Sequence, residues 1–299
     1  MHDIALYCKS YRQDIRRAHV LATSVAQFNT ARLPFYMSVP TGDLAMFRDK
    51  LSGLPVELLD DRAIVAASPG LDDKRIAAMP GGRAQQAVKA QFWRLQLAAN
   101  YLCVDSDCKF LRDFSRNDFL APDGHPYTIV HECKELLQFA STHGLAKVPV
   151  HYVEERRKIM EIFSRTGRAY DFGPAPLIWS AAVWRALDEQ FLASKGMNFC
   201  DAIELFPSEI LWYGEALLKY RPIPLWPIEP LFRCFHYRAQ FRAARRQGTS
   251  ERTIAQNYLG VVYQSNWHRA LDLENRWVQR WRRLRQAVGA SRVRTNDSD

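Results

Sequence analysis

Short apolar runs alternating with stretches of helical period predict an α/β protein: a mixed, mostly parallel sheet flanked by helices, with a basic helical extension at the C-terminal end. Residues 3–8 (DIALYC) form an apolar run that gives way to polar Lys9-Ser10-Tyr11-Arg12, a strand entering a loop. Residues 14–28 carry helical spacing, 33–39 (LPFYMSV) form a second run closed by Pro40-Thr41-Gly42-Asp43, 44–51 are helical again, and 56–59 make a third strand. The stretch 68–83 holds SPG and PGG and is expected to be loop. A helix over 85–98 then leads into a buried strand at 101–104. The second half is less regular, with a strand at 127–131 and helices at 154–163, 182–193 and 208–220.

Composition sets the broad class. The chain has 299 residues, of which 47% are hydrophobic and 24% charged, so it can build an ordinary core without staples. No apolar run approaches the ~20 residues of a membrane span. The start, Met1-His2-Asp3-Ile4, has neither the basic nor the apolar region of a secretion signal, and a cytoplasmic location is expected. The six cysteines are scattered without a Cys-x-x-Cys pair and are expected to be free buried thiols.

Charge divides the chain. Residues 231–299 hold 14 arginines, no lysine and 5 acidic residues, a net of +9, which is the whole net charge of the protein. The proline-rich RPIPLWPIEP precedes them, so the expected division is a neutral body, 1–230, and a basic Arg/Trp-rich extension, 231–299. Within the extension Leu273, Trp277, Trp281, Leu284 and Val288 fall on one helical stripe among arginines. Two readings follow for 267–288: an interfacial helix on an anionic membrane, peripheral on its inner face, or a helix packed on the body with solvated arginines. Nucleic acid is disfavoured, because no helix-turn-helix, finger or aromatic RNA-binding pattern accompanies the arginines.

The stretch with most chemistry is Tyr101-Leu-Cys-Val-Asp105-Ser-Asp107. An apolar strand running into Asp-x-Asp puts two carboxylates at a carboxyl strand end, where open α/β sheets bind ligands. If the backbone stays extended, residues i and i+2 face one way, and Asp105 and Asp107 can share one Mg²⁺ or Mn²⁺. The pattern alone is weak, since Asp297-Ser-Asp299 repeats it in a polar tail. A solvated strand-to-loop cap is the competing reading.

Gln85-Gln86-Ala-Val-Lys89, the Asp105-Ser-Asp107 strand and Pro207-Ser-Glu209-Ile-Leu-Trp-Tyr213-Gly214, in that order, resemble glycosyltransferases of the GT-A fold. They are similar in particular to a poorly characterised bacterial family with a Gln-Gln-x-x-Lys helix, a Leu-x-Asp-Ser-Asp strand and a Ser-Glu-x-x-x-Tyr-Gly helix. The resemblance covers roughly 3–220 and implies a metal-dependent transfer from a nucleotide-sugar donor; if the Arg/Trp helix meets a membrane, the charge placement makes a glycan or lipid-linked acceptor of cell-envelope polysaccharide synthesis the expected one. It implies that Asp105 and Asp107 hold the ion and the donor's diphosphate, and that Gln86 and Lys89 reach toward the donor. It places Tyr7, Lys9 and Tyr11 where the nucleotide is received. Glu209 becomes the candidate general base, with an N-terminal helix acid as the plainer alternative. His236 becomes a candidate third metal ligand, with a satisfied core histidine as its alternative. Two other functions stay open. A sugar nucleotidyltransferase is one, although Lys9-Ser-Tyr-Arg-Gln lacks the glycines of its phosphate loop; a non-catalytic nucleotide- or glycan-binding protein with a basic docking arm is the other.

Overall fold

The computed structural model describes residues 1–264. Its main sheet is built from β1 (His2–Lys9), β2 (Phe35–Val39), β3 (Glu57–Asp60), β4 (Ala98–Val104) and β7 (Leu177–Ser180), in the order β3-β2-β1-β4-β7. The first four strands are mutually parallel, and β7 runs antiparallel to β4, with Tyr101 opposite Trp179. The expected mixed, mostly parallel sheet is therefore present.

Both faces of the central strands are covered, which is why they read as continuous apolar runs rather than alternating ones. Along β1, Ala5 and Tyr7 enter one core with Tyr101, Cys103 and Trp179, while Ile4, Leu6 and Cys8 enter the other with Leu102 and Val104. The first face is closed by α5 (Gly81–Ala90), α8 (Ala181–Ala186), α9 (Phe199–Leu205) and α10 (Glu209–Tyr220). On the second face lie α1 (Ile15–Phe28) and α2 (Leu44–Lys50). Burying each large apolar side chain there stabilises by roughly 1.5–3 kcal/mol. The remaining helices of the first two thirds are α3 (Asp61–Ala66), α4 (Asp73–Ala78), α6 (Lys134–Thr142) and α7 (Lys147–Ile162).

Several boundaries differ from expectation for local reasons. The expected loop 68–83 contains α4, whose cap Asp72 accepts a hydrogen bond from the Arg75 amide at 2.7 Å, and the beginning of α5, which starts straight after Pro80. The helix expected to reach 98 stops at Ala90; a 3₁₀ turn, Phe92–Leu95, follows, and Gln96 at φ 52° turns the chain into β4. The helix expected at 182–193 widens into a π-turn over Leu187–Leu192, and α7 begins seven residues earlier than expected, with Pro149 tolerated in its first turn.

Beyond the proline-rich segment the chain stays in the body. Here β8 (Trp226–Ile228) pairs with β6 (Tyr127–Ile129), and β9 (Phe232–Phe235) and β10 (Gly260–Tyr263) join β5 (Cys108–Phe110) in a second sheet, β5-β10-β9. Phe232, Leu259 and Val262 share the second core with β1 and β4. Between these strands lie α11 (Arg238–Arg246), which carries exposed arginines, and α12 (Glu251–Ile254). The charge division at 230 is thus not a gap in packing. The tryptophan stripe at 273–288 lies outside the described residues. Among the described residues no helix is long and apolar enough to cross a membrane.

Candidate active site

At the carboxyl end of β4 the strand stops at Val104, and Asp105, Ser106 and Asp107 form a turn instead of continuing extended. The Cys108 amide donates to the Asp105 carbonyl at 3.0 Å, and the Tyr263 amide donates to the Asp107 carbonyl at 3.1 Å. The Ser106 hydroxyl donates to Ser10 Oγ at 2.9 Å, tying the turn to the end of β1. Asp105 and Asp107 therefore stand on a pinned turn, and strand alternation does not set their directions.

Lys89, in the last turn of α5, is buried beneath this turn. Its Nζ donates to Asp105 Oδ1 at 2.8 Å and to Glu209 Oε1 at 3.1 Å. Burial pulls the ammonium's pKa down, but the two carboxylates outweigh it and hold Lys89 well above its ordinary value, fully charged. Glu209 is the first residue of α10, whose cap Ser208 accepts from the Leu211 amide at 3.3 Å. The lysine helix, the acidic turn and the Ser-Glu helix, separate in sequence, meet on one ammonium. The exposures differ: the Glu209 side chain is 7% exposed, that of Asp105 34%. Glu209, expected as a general base or as an N-terminal helix acid, stands at the start of α10 with its carboxylate as a buried partner of Lys89.

Other expected residues fall unevenly. Lys9 is buried at the end of β1, with Nζ 2.7 Å from the Ser10 carbonyl and 2.9 Å from Asp61 Oδ2. Tyr11 and Lys9 line a cleft of about 660 Å³ at the carboxyl ends of β1–β3, together with Thr41, Asp61, Gln85 and Val88. Tyr7 is a correction. Its ring is fully buried, stacked on Phe92 with centroids 3.9 Å apart, and its hydroxyl lies 3.0 Å from Ser38 Oγ, so it cannot stack on a base. Gln86 Oε1 is buried without a hydrogen-bond partner. Asp61 escaped the sequence reading. Burial raises its carboxyl above the ordinary value despite Lys9; the available signal was an acid directly after the third strand, at the same sheet end as Lys9 and Asp105.

His236 is also a correction. It does not join Asp105 and Asp107 in a ligand set: among the described residues, the one group of three or more acidic, His and Cys side chains with ligand atoms within 4.8 Å of one another is His131, Cys133 and Asp171. His236 lines a second cleft, of about 580 Å³, with His131, Cys133, Arg233 and Cys234. Burial lowers its pKa, keeping it neutral. Nor is the His131–Cys133–Asp171 group an open ligand set. The Cys133 amide donates to His131 Nδ1 at 3.2 Å, and the other ring nitrogen donates to the Gly173 carbonyl. Asp171 accepts from Arg156 at 2.8 Å and from the Gly173 amide at 3.1 Å. These bonds lock 131–133 to 171–173 and leave no ring nitrogen for an ion.

The acidic turn lines neither cleft but is linked to residues of both. Ser10, bonded to Ser106, follows Lys9 of the first; Cys108, next to Asp107, pairs with Val262, which pairs with Cys234 of the second. Burial, reinforced by Asp107 and Asp105, holds the Cys234 thiol up at about 12. All six cysteines are free and buried, as expected.

The family described as "Family of unknown function (DUF6492)" matches residues 4–279. No curated protein matches the sequence. Among solved structures, the chain is similar to the galactosyltransferase LgtC in complex with donor and acceptor sugar analogs, at 12% identity and a TM-score of 0.50, over 93% of this chain and 94% of that one. It is also similar to apo mouse xyloside xylosyltransferase 1, at 10% identity and a TM-score of 0.47, over 88% of this chain and 98% of that one. The fold is that of GT-A glycosyltransferases.

Proposed function

For a chain that belongs to the DUF6492 family, we propose a nucleotide-sugar-dependent glycosyltransferase, working on a glycan or lipid-linked acceptor of the cell envelope. The observation that carries this reading is the convergence of Lys89, Asp105 and Glu209 at the carboxyl end of β4. Open α/β sheets bind ligands at that end.

The residues present fit a divalent cation. Asp105 and Asp107 offer hard carboxylate oxygens from one pinned turn, and Asp105 is part-exposed and already holds a cation, the ammonium of Lys89. Mn²⁺ or Mg²⁺ there would supply charge to offset that of a departing diphosphate. Lys89 then meets the diphosphate as a mobile point charge. Lys9, Tyr11 and Asp61 line the cleft for the nucleoside, and Gln86 supplies an unsatisfied acceptor from α5. The second cleft, with its mixture of acids, arginines and imidazoles, takes the hydroxyl-rich acceptor. Residues 1–230 hold the donor side of this machinery, 231–264 complete the acceptor cleft, and the basic stretch 267–288 meets an anionic membrane surface, keeping the protein peripheral on the inner face. Vesicle sedimentation with and without 265–299 tests that last part; equal binding refutes it.

Calorimetric titration with UDP and GDP, with and without Mn²⁺, tests the main reading. Metal-dependent binding is expected, and Asp105→Asn with Asp107→Asn should abolish it while the far-UV spectrum stays unchanged. Retained metal-dependent binding in that double variant overturns the assignment.

A further inference from the structure

Lys89 sits between two carboxylates that differ in one respect. The Asp105 side chain is part-exposed, while Glu209 is closed within the packing of α10. An ion arriving at Asp105 therefore meets a carboxylate oxygen that already has an ammonium 2.8 Å away. Two cations cannot share that oxygen cheaply: their repulsion at such separations is several kcal/mol even at a high effective dielectric. Lys89 also cannot be left without a counter-charge, because it is buried and an unpaired buried charge is strongly disfavoured. Glu209, at 3.1 Å, is the one other carboxylate that the hydrogen bonds of Lys89 reach.

We propose that Lys89 is a built-in counter-cation which holds Asp105 until a divalent ion displaces it, and that Glu209 is the seat which receives the displaced ammonium. Glu209 is thus a positioning residue acting through Lys89. The flexible four-carbon stem and three rotatable N–H donors of lysine allow the swing without moving α5. This inference rests on the metal site proposed at Asp105 and Asp107. It accounts for an acid at the start of α10 that faces an ammonium, not an acceptor. It also gives the departure of Lys89 from Asp105 a consequence, since the donor that held Asp105 is then free.

Mn²⁺ alone, titrated into the full chain and followed by the electron paramagnetic resonance of the free ion, tests the exchange. Glu209→Gln removes the seat, so Lys89 clings to Asp105 and Mn²⁺ affinity should fall roughly tenfold or more. Lys89→Met with Glu209→Gln has the same net charge as the natural chain but no competitor, and should bind Mn²⁺ several-fold more tightly than the natural chain does. Far-UV spectra establish that each variant is folded. A merely structural Glu209 would lower stability without moving the Mn²⁺ affinity of the folded protein. Affinity in the double variant equal to or weaker than that of the natural chain overturns the exchange while leaving the metal site standing. Absence of Mn²⁺ binding in every folded variant, the natural chain included, overturns the metal site and the exchange with it.

Discussion

Gly214 sits in the interior of α10, where alanine is ordinarily the better residue by roughly 1 kcal/mol. The structure predicts the opposite sign for Gly214→Ala. A Cβ built there would lie 2.1 Å from Cδ2 of Phe172, 2.2 Å from its Cγ and 2.3 Å from its Cε2. Carbon pairs rest at about 3.5–4.0 Å, so the ring would have to retreat by more than an ångström. It has little room to do so. Phe172 is buried, and its neighbour Asp171 is fixed by paired backbone bonds to His131 and by the Arg156 guanidinium. Overpacking of this kind costs about 3 kcal/mol at the upper end of its usual range; less the helical gain, the net destabilisation is about 2 kcal/mol. Urea unfolding followed by the fluorescence of the buried Trp179, Trp184 and Trp212 measures it. The same substitution in a Phe172→Ala background should change sign, because the obstacle has gone. A neutral or stabilising Gly214→Ala in the natural chain, or an undiminished loss in the Phe172→Ala background, refutes the reasoning.

Two further outcomes follow from the buried charges. Lys89→Met strands the Glu209 carboxylate inside the protein and should cost roughly 3–5 kcal/mol in the same unfolding assay, whereas Lys89→Met with Glu209→Gln should recover most of that loss. At Asp171 burial would raise the carboxyl pKa, but Arg156 and the Gly173 amide outweigh it and hold it below the ordinary value. A pKa depressed in the folded state gives stability that is complete above the unfolded value near 3.9 and is lost as pH falls through the lower folded one. Denaturation midpoints measured from about pH 6 downward should therefore drop across that acid window, and less steeply in Asp171→Asn.

The first half of the sheet was legible because its determinants are local. The apolar runs of β1, β2, β3 and β4 and the periodic stretches of α1 and α2 announce themselves within a few residues of one another. Burial on both faces removed the next level of detail. In a strand covered on each side, alternation no longer separates a residue that faces a ligand from one that faces a core, and Tyr7 was placed on the wrong side of that distinction. The proline and glycines of 68–83 misled for a related reason: Pro80 followed by Gly81-Gly82 reads as a break, yet proline before a helix start is as compatible with beginning one. In 231–264 the arginines dominate the composition, so the short runs that become β9 and β10, each meaningful only beside the other and β5, passed as part of a helical tail.

The candidate site divides along the same line. Lys89, Asp105 and Glu209 were each identifiable as residues, from the motifs that carry them, but their relation was not. Glu209 lies 120 positions from Lys89 along the chain, and nothing near either one encodes a hydrogen bond between them. That relation changes the chemistry. A glutamate at a helix start, considered alone, suits a base; the same glutamate against a buried ammonium must balance that charge before it can do anything else. Asp105, read from its strand, suits a metal ligand, and the ammonium beside it means that any ion must compete for it. A buried lysine shared by two carboxylates of unequal exposure thus couples the closed helix to the open turn. For that reason the cheapest informative perturbation of this protein is made at Glu209, which is closed in the packing, and its effect is read at Asp105, which is part-exposed.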